Sequence, residues 1–184
     1  MEQNFSFDKK PEPDVRYPSE VAKREELCRE VMSHMPNGEA LLQELPWLPH
    51  FLGEAYFWIN QRTEISLREI GILDPEALPE VSKNLLEQMY KDERKSYMSC
   101  RYVNSKGELI GNLTREIRDG ELIWGKNFYA KGPIDFIIIT AMPPYDSMER
   151  AQGPNVCIIY RIIYPPDVQK PFEVDNSSST EVLP

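Results

Sequence analysis

Arg161 makes the strongest demand on its surroundings, because it stands in the run Ile158-Ile159-Tyr160-Arg161-Ile162-Ile163 with aliphatic residues on both sides. A guanidinium in such a strand needs a carboxylate, a carbonyl or a ligand anion, since leaving one partner of a buried ion pair unmatched costs roughly 3–5 kcal/mol. Asp135 lies diagonally from it if the last two strands pair as a hairpin, and Glu116 is a second candidate. With Tyr160 beside it, this group is the set that would fix an anionic ligand in an otherwise apolar pocket. Arg115 and Trp124 form a further pair, placed opposite each other by the hairpin register described below, where a cation–π contact is expected.

No other constellation points to a reaction. The chain has no phosphate-cradling glycine loop, no serine nucleophile elbow and no His-Glu-x-x-His. Its three cysteines, Cys28, Cys100 and Cys157, are isolated and odd in number, which argues against a disulfide framework and against a zinc site. The two histidines, His34 and His50, are too few for a His-rich metal site. His50 follows Pro49 at the entrance of a helical segment, where it reads as an acid/base group or as a partly exposed histidine. No metal and no cofactor are expected.

The elements that position these residues fall into two parts. From Ser96 to Tyr164 the chain reads as antiparallel strands separated by turns. Asp119-Gly120 supplies the positive φ angles of a two-residue type I′ hairpin, and Asn104-Ser105-Lys106-Gly107 has the residues of a type I turn with a glycine bulge. Pairing Arg118 with Glu121 sets Ile117 opposite Leu122, Arg115 opposite Trp124 and Gly111 opposite Phe128. The other face then carries Asn112, Thr114, Glu116 and Asn127, so that side is mostly wet. Lys131-Gly132-Pro133 reads as the next turn. The runs 134–142 and 156–164 are apolar on both faces, as in strands covered on each side.

The first part is mainly helical. Ser19 caps a segment whose apolar positions Val21, Leu27, Cys28, Val31, Met32 and Met35 recur at helical spacing, until Pro36-Asn37-Gly38 stops it. A short helix follows to Leu45, and then an aromatic run, Trp47 to Asn60, in which Phe51, Leu52, Ala55, Tyr56 and Ile59 fit a helical stripe. Residues 63–73 read either as a strand with a phase slip or as a short helix; Ser66-Leu67-Arg68-Glu69 and Gly71 tip the balance to helix. Asp74-Pro75 opens another helix with the stripe Val81, Leu85, Met89, and 91–95 is a charged connector.

The expected architecture is α+β: N-terminal helical segments packed on a C-terminal antiparallel sheet of about five strands in meander order. Residues 1–17 form a flexible arm and 18–166 a domain, helical over 18–95 and stranded over 96–164. Residues 167–184 have the composition of a disordered tail. The Pro-flanked connection 143–154 is long enough to carry function.

Charge and segment composition narrow the partners. At −9 the chain has no global basic surface for counterion release from nucleic acid, and no apolar leader or membrane-spanning run, so a cytoplasmic, reducing location is expected. Two functions fit. One is a non-enzymatic interaction protein, an acidic adaptor, chaperone or inhibitor, using an apolar sheet face or the Pro-flanked loop to bind another protein or its own copy. The other is a small-molecule enzyme or carrier with an apolar pocket in which an arginine fixes an anionic ligand.

Overall fold

A computed structural model describes residues 18–90, 97–143 and 153–171. Three helices come first: α1, Pro18–Ser33; α2, Gly38–Glu44; and α3, Leu48–Glu54. α1 buries Cys28, Val31 and Met32, as its spacing predicts. The chain turns from α1 into α2 through Asn37 at φ 62, and a Cβ on Gly38 would sit inside the Met32 carbonyl, so only glycine fits there.

The aromatic run departs from the expected stripe. α3 ends at Glu54, Tyr56 takes φ 54, and the next residues alternate, with Phe57 and Ile59 buried and Tyr56 and Trp58 exposed. Tyr56 and Ile59 therefore do not share one helix face.

Six strands follow: β1, Glu64–Gly71; β2, Tyr97–Val103; β3, Leu109–Arg118; β4, Glu121–Phe128; β5, Phe136–Met142; and β6, Val156–Ile163. The helical expectation for 63–73 is overturned, since β1 pairs in parallel with β6 from Glu64↔Val156 to Gly71↔Ile163. The phase slip in its sequence has a physical cause. Ile65 and Leu67 join one core and Ile70 and Ile72 another, on opposite sides of the sheet. A strand that gives side chains to a core on each face loses the simple alternation of one with a single apolar face. Beyond it, Asp74 caps a 3-10 turn, Pro75–Ala77, by accepting from the Glu76 N–H at 2.9 Å. α4, Leu78–Tyr90, follows, with its buried centre at Leu78, Ser82 and Leu86 and with Leu85 and Met89 packed alongside. The charged connector 91–95 lies outside the described residues.

Both expected turns form. Asp119 and Gly120 have φ 53 and 81, and the β3–β4 register is Arg118↔Glu121, Arg115↔Trp124 and Gly111↔Phe128. In the β2–β3 turn the Asn104 Oδ1 accepts from the Lys106 and Glu108 N–H groups, and Gly107 at φ 79 lies directly under Trp47. The strand order differs from the expected meander: it is β1-β6-β5-β2-β3-β4. β5 returns past the hairpin to pair with β2, so β5-β2-β3-β4 has the Greek-key order. The connection that makes this crossing stays at one end of the sheet, with Tyr129 N–H bonded to the Ile110 carbonyl at 2.9 Å and Ile134 fully buried.

The helices divide between the two sheet faces. α1, α2 and α3 pack on Ile65, Val103, Phe136, Ile138, Cys157 and Ile159. α4 packs on Cys100, Tyr102, Ile110, Ile137, Ile139 and Ile158. Both apolar faces of β5 and β6 are thus closed from within the chain. No helix of the described residues is long and apolar enough to cross a membrane. Ile138→Ala and Ile139→Ala act on opposite faces, and each should lower stability by about 2–5 kcal/mol in urea unfolding. A value near zero for either would mean that its face is not core.

Candidate functional site

Arg161 projects from β6 toward the α1–α3 side, where it pairs with Glu44 of α2 and its guanidinium carbon lies 5.9 Å from the Phe136 ring centroid. Its Nε is buried without a partner. Asp135, the expected partner, is engaged elsewhere: its carboxylate accepts from the Ser105 N–H at 2.7 Å and from Lys170 Nζ at 2.8 Å. The reason is register. Phe136, not Asp135, stands opposite Arg161, and neighbouring residues of an extended chain point to opposite faces. Asp135 instead ties three strands through its main chain, donating to the Val103 carbonyl and accepting from Ile162 N–H. Lys170 lies beyond the expected boundary at Asp167, so the described chain continues past it.

The remaining expected residues do not converge on Arg161. Glu116 sits opposite Ile123 toward the far end of β3. Tyr160 is buried on the α4 side, opposite Ile137 and Arg68. Arg115 and Trp124 do meet as expected, with the guanidinium 5.8 Å from the ring centroid, on the sheet face that α4 packs against. These six residues occupy two faces and three regions of the sheet.

Two surfaces emerge instead. The first is a polar ladder on the α1–α3 face, over the half of the sheet that carries β2, β3 and β4. Ser99 Oγ and Thr140 Oγ1 share a 2.8 Å hydrogen bond, and Arg101 Nη1 donates to Ser99 Oγ at 2.8 Å. Asn127 Nδ2 donates to Asn112 Oδ1 at 3.1 Å, and Asn112 Nδ2 to the Tyr129 hydroxyl at 2.9 Å. Asn112 and Asn127 were legible as a wet hairpin face. Ser99, Arg101 and Thr140 were not, because their joining it depends on β5 pairing with β2.

The second surface is the free edge of β1. Glu64 N–H bonds to the Asn155 carbonyl at 2.8 Å and Ile72 N–H to the Ile163 carbonyl at 3.0 Å. The even-numbered residues therefore turn their main chain toward β6, and Ile65, Leu67, Glu69 and Gly71 turn theirs away. β1 ends the sheet among the described residues. Apolar side chains flank it at both ends: Tyr56 and Trp58, about half exposed at 48% and 47%, before it, and Leu73 and Ile163, at 82% and 45%, after it. The aromatic end is fixed from below. Arg24 lies 4.2 Å from the Tyr56 ring centroid while its Nε donates to the Gly53 carbonyl at 3.0 Å, and the Asn155 amide holds the Trp58 carbonyl.

Other groups are structurally committed. His50 is exposed on the otherwise largely buried α3, between Glu25 at 3.0 Å and Glu54 at 3.3 Å, and hydrogen bonds from Arg29 and then His50 hold the Glu25 carboxyl below its usual value. Burial pushes the thiols of Cys28 and Cys100 up to about 12 and that of Cys157 higher still. In sequence and structure comparisons, no protein family, curated protein or solved structure matches this chain. With all three thiols buried and held protonated, Ellman's reagent at pH 8 should label none in the native protein and three after unfolding in guanidinium. A fast-reacting native thiol would contradict that burial.

Proposed function

We propose that this chain is a non-enzymatic protein-interaction protein that docks an extended partner strand on the free edge of β1. The observation that carries the reading is the coincidence of main-chain groups at Ile65, Leu67, Glu69 and Gly71 that no described strand pairs with, and exposed apolar side chains at both ends of the same strand. An exposed edge is a template for strand addition: the main chain supplies affinity and the flanking side chains supply choice of partner. Natural edges that must stay solitary carry charges, and β1 does carry Glu64, Arg68 and Glu69. Those charges make the edge selective rather than closed. The apolar faces of β5 and β6 are used up in the core, which moves the reading from a sheet face to a sheet edge. The Pro-flanked connection, over 144–152, lies outside the described residues. Three buried, unpaired cysteines support a reducing, cytoplasmic setting for such an interaction.

A second reading, a carrier of a small anionic ligand, draws its support from the Arg101–Ser99–Thr140 ladder. In that reading Arg101 takes the role expected of Arg161, whose charge is met by Glu44.

The two readings separate in one experiment. Proline at 69 removes only an N–H that faces away from β6, so Glu69→Pro should leave the fold intact. Peptides selected from a displayed random library on the wild-type protein should bind Glu69→Pro roughly tenfold or more weakly, a loss of about 1.4 kcal/mol. Peptides indifferent to Glu69→Pro but lost on Arg101→Gln would move the site to the polar ladder.

A further inference from the structure

The edge of β1 has a sequence that complements itself. An added antiparallel strand must set outward-facing residues against outward-facing residues, so a second copy of β1 can pair only in registers that match odd with odd and even with even. Few such registers cover most of the strand. Centring the pair on Glu64 sets that carboxylate against its own copy, and centring it on Arg68 does the same to the guanidinium. Centring it on Ile65 opposes Arg68 to Arg62, and on Leu67 leaves Arg68 against Ser66 and Glu64 against Ile70. Centring it on Ser66 places Glu64 opposite Arg68 twice, Ser66 opposite Ser66, and Ile65 opposite Leu67 twice. Opposite charges directly across an antiparallel pair stabilise it and like charges destabilise it. Among the described residues neither Glu64 nor Arg68 has an ion-pair partner within its own chain.

The apolar ends give an independent reason. Antiparallel pairing lays the start of one β1 beside the finish of the other. The Tyr56–Trp58 end of each copy is thereby brought to the Leu73–Ile163 end of its mate, and both exposed patches are covered at once. A parallel partner strand would leave like ends together.

Resting on the edge reading above, we infer that the occupant of the β1 edge is β1 of a second copy, antiparallel about a two-fold axis at Ser66, joining two six-stranded sheets into one. The net charge of −9 on each copy opposes the association at long range. Physiological salt screens that repulsion beyond roughly 8 Å, while the Glu64–Arg68 pairs act at contact.

The test is a register-specific cross-link in the full chain. Residues opposite at a non-hydrogen-bonded antiparallel site approach within the Cα separation a disulfide requires, and the three native thiols are buried and silent. Ser66→Cys should oxidise to a disulfide dimer much faster than Glu64→Cys or Arg68→Cys alone, and a mixture of those two should cross-link to each other. In sedimentation equilibrium, Glu64→Lys should weaken the wild-type dimer roughly tenfold, and adding Arg68→Glu should restore it.

A wild-type monomer at all concentrations, with Ser66→Cys cross-linking no faster than Glu64→Cys, would overturn the self-pairing. Amide exchange on that monomer then decides the broader reading. Fast exchange at Ile65, Leu67 and Glu69 with protection at Ser66 and Arg68 leaves the edge open for a different protein. Protection at all five means the edge is already capped, and both proposals fail.

Discussion

The architecture rests on two neighbouring strands that have almost no polar face. Ile137 and Ile139 of β5 face one side and Ile138 of β5 with Cys157 and Ile159 of β6 the other, and all five are fully buried. Such strands are stable only when both sides are shielded from water, at roughly 25 cal/mol for each Å² of apolar surface removed. A single helical layer cannot do this. The chain therefore sends α1, α2 and α3 to one side and α4 to the other, and it threads β1 between them to flank β6. The β2–β3–β4 hairpins meet a weaker requirement. Only one of their faces, with Tyr102, Ile110 and Leu113, needs cover, and the other is free to carry hydrogen-bonding side chains.

What could be read from the residues follows from how locally each feature is determined. The turns at Asn104–Gly107 and Asp119–Gly120 are set by backbone preferences within four residues, and both they and the register between them were legible. The cap at Asp74 was legible for the same reason. β1 was not, because local signals at Ser66 and Glu69 resembled a helix cap while the deciding interaction was pairing with a strand at the other end of the sequence. The strand order was hidden likewise. Lys131-Gly132-Pro133 reads as a turn in either topology, and only the two-sided burial of β5 excludes an edge-side neighbour such as β4.

The candidate sites show the same division. The Arg115–Trp124 contact lies within one hairpin and could be inferred. Arg161 was expected to need a carboxylate, a carbonyl or a ligand anion, with Asp135 or Glu116 as candidates; its ion-pair partner is Glu44, on a helix no strand-pairing rule could locate. The ladder through Thr140, Ser99 and Arg101 and the free edge of β1 both arise from strand order alone, so neither had a signature in its own residues. Exposed Trp58 and Tyr56 sit in a run that reads as core, and their display depends on the left-handed turn at Tyr56.

The parallel pairing of β1 with β6 also fixes the order in which the chain can become native. It joins residue 64 to residue 156, and the same late strands, β5 and β6, supply much of the floor on which α1, α2 and α3 rest. A ribosome delivers the N-terminal helices and β1 long before that floor exists, at roughly 5–20 residues per second. During that interval Leu48, Leu52 and Ile65 have no sheet to cover them, and loop-closure entropy delays the pairing that finally does. Nascent chains stalled before β6 should therefore be clients for holdase chaperones, and loss of even the last strand would release the helices as well as the edge.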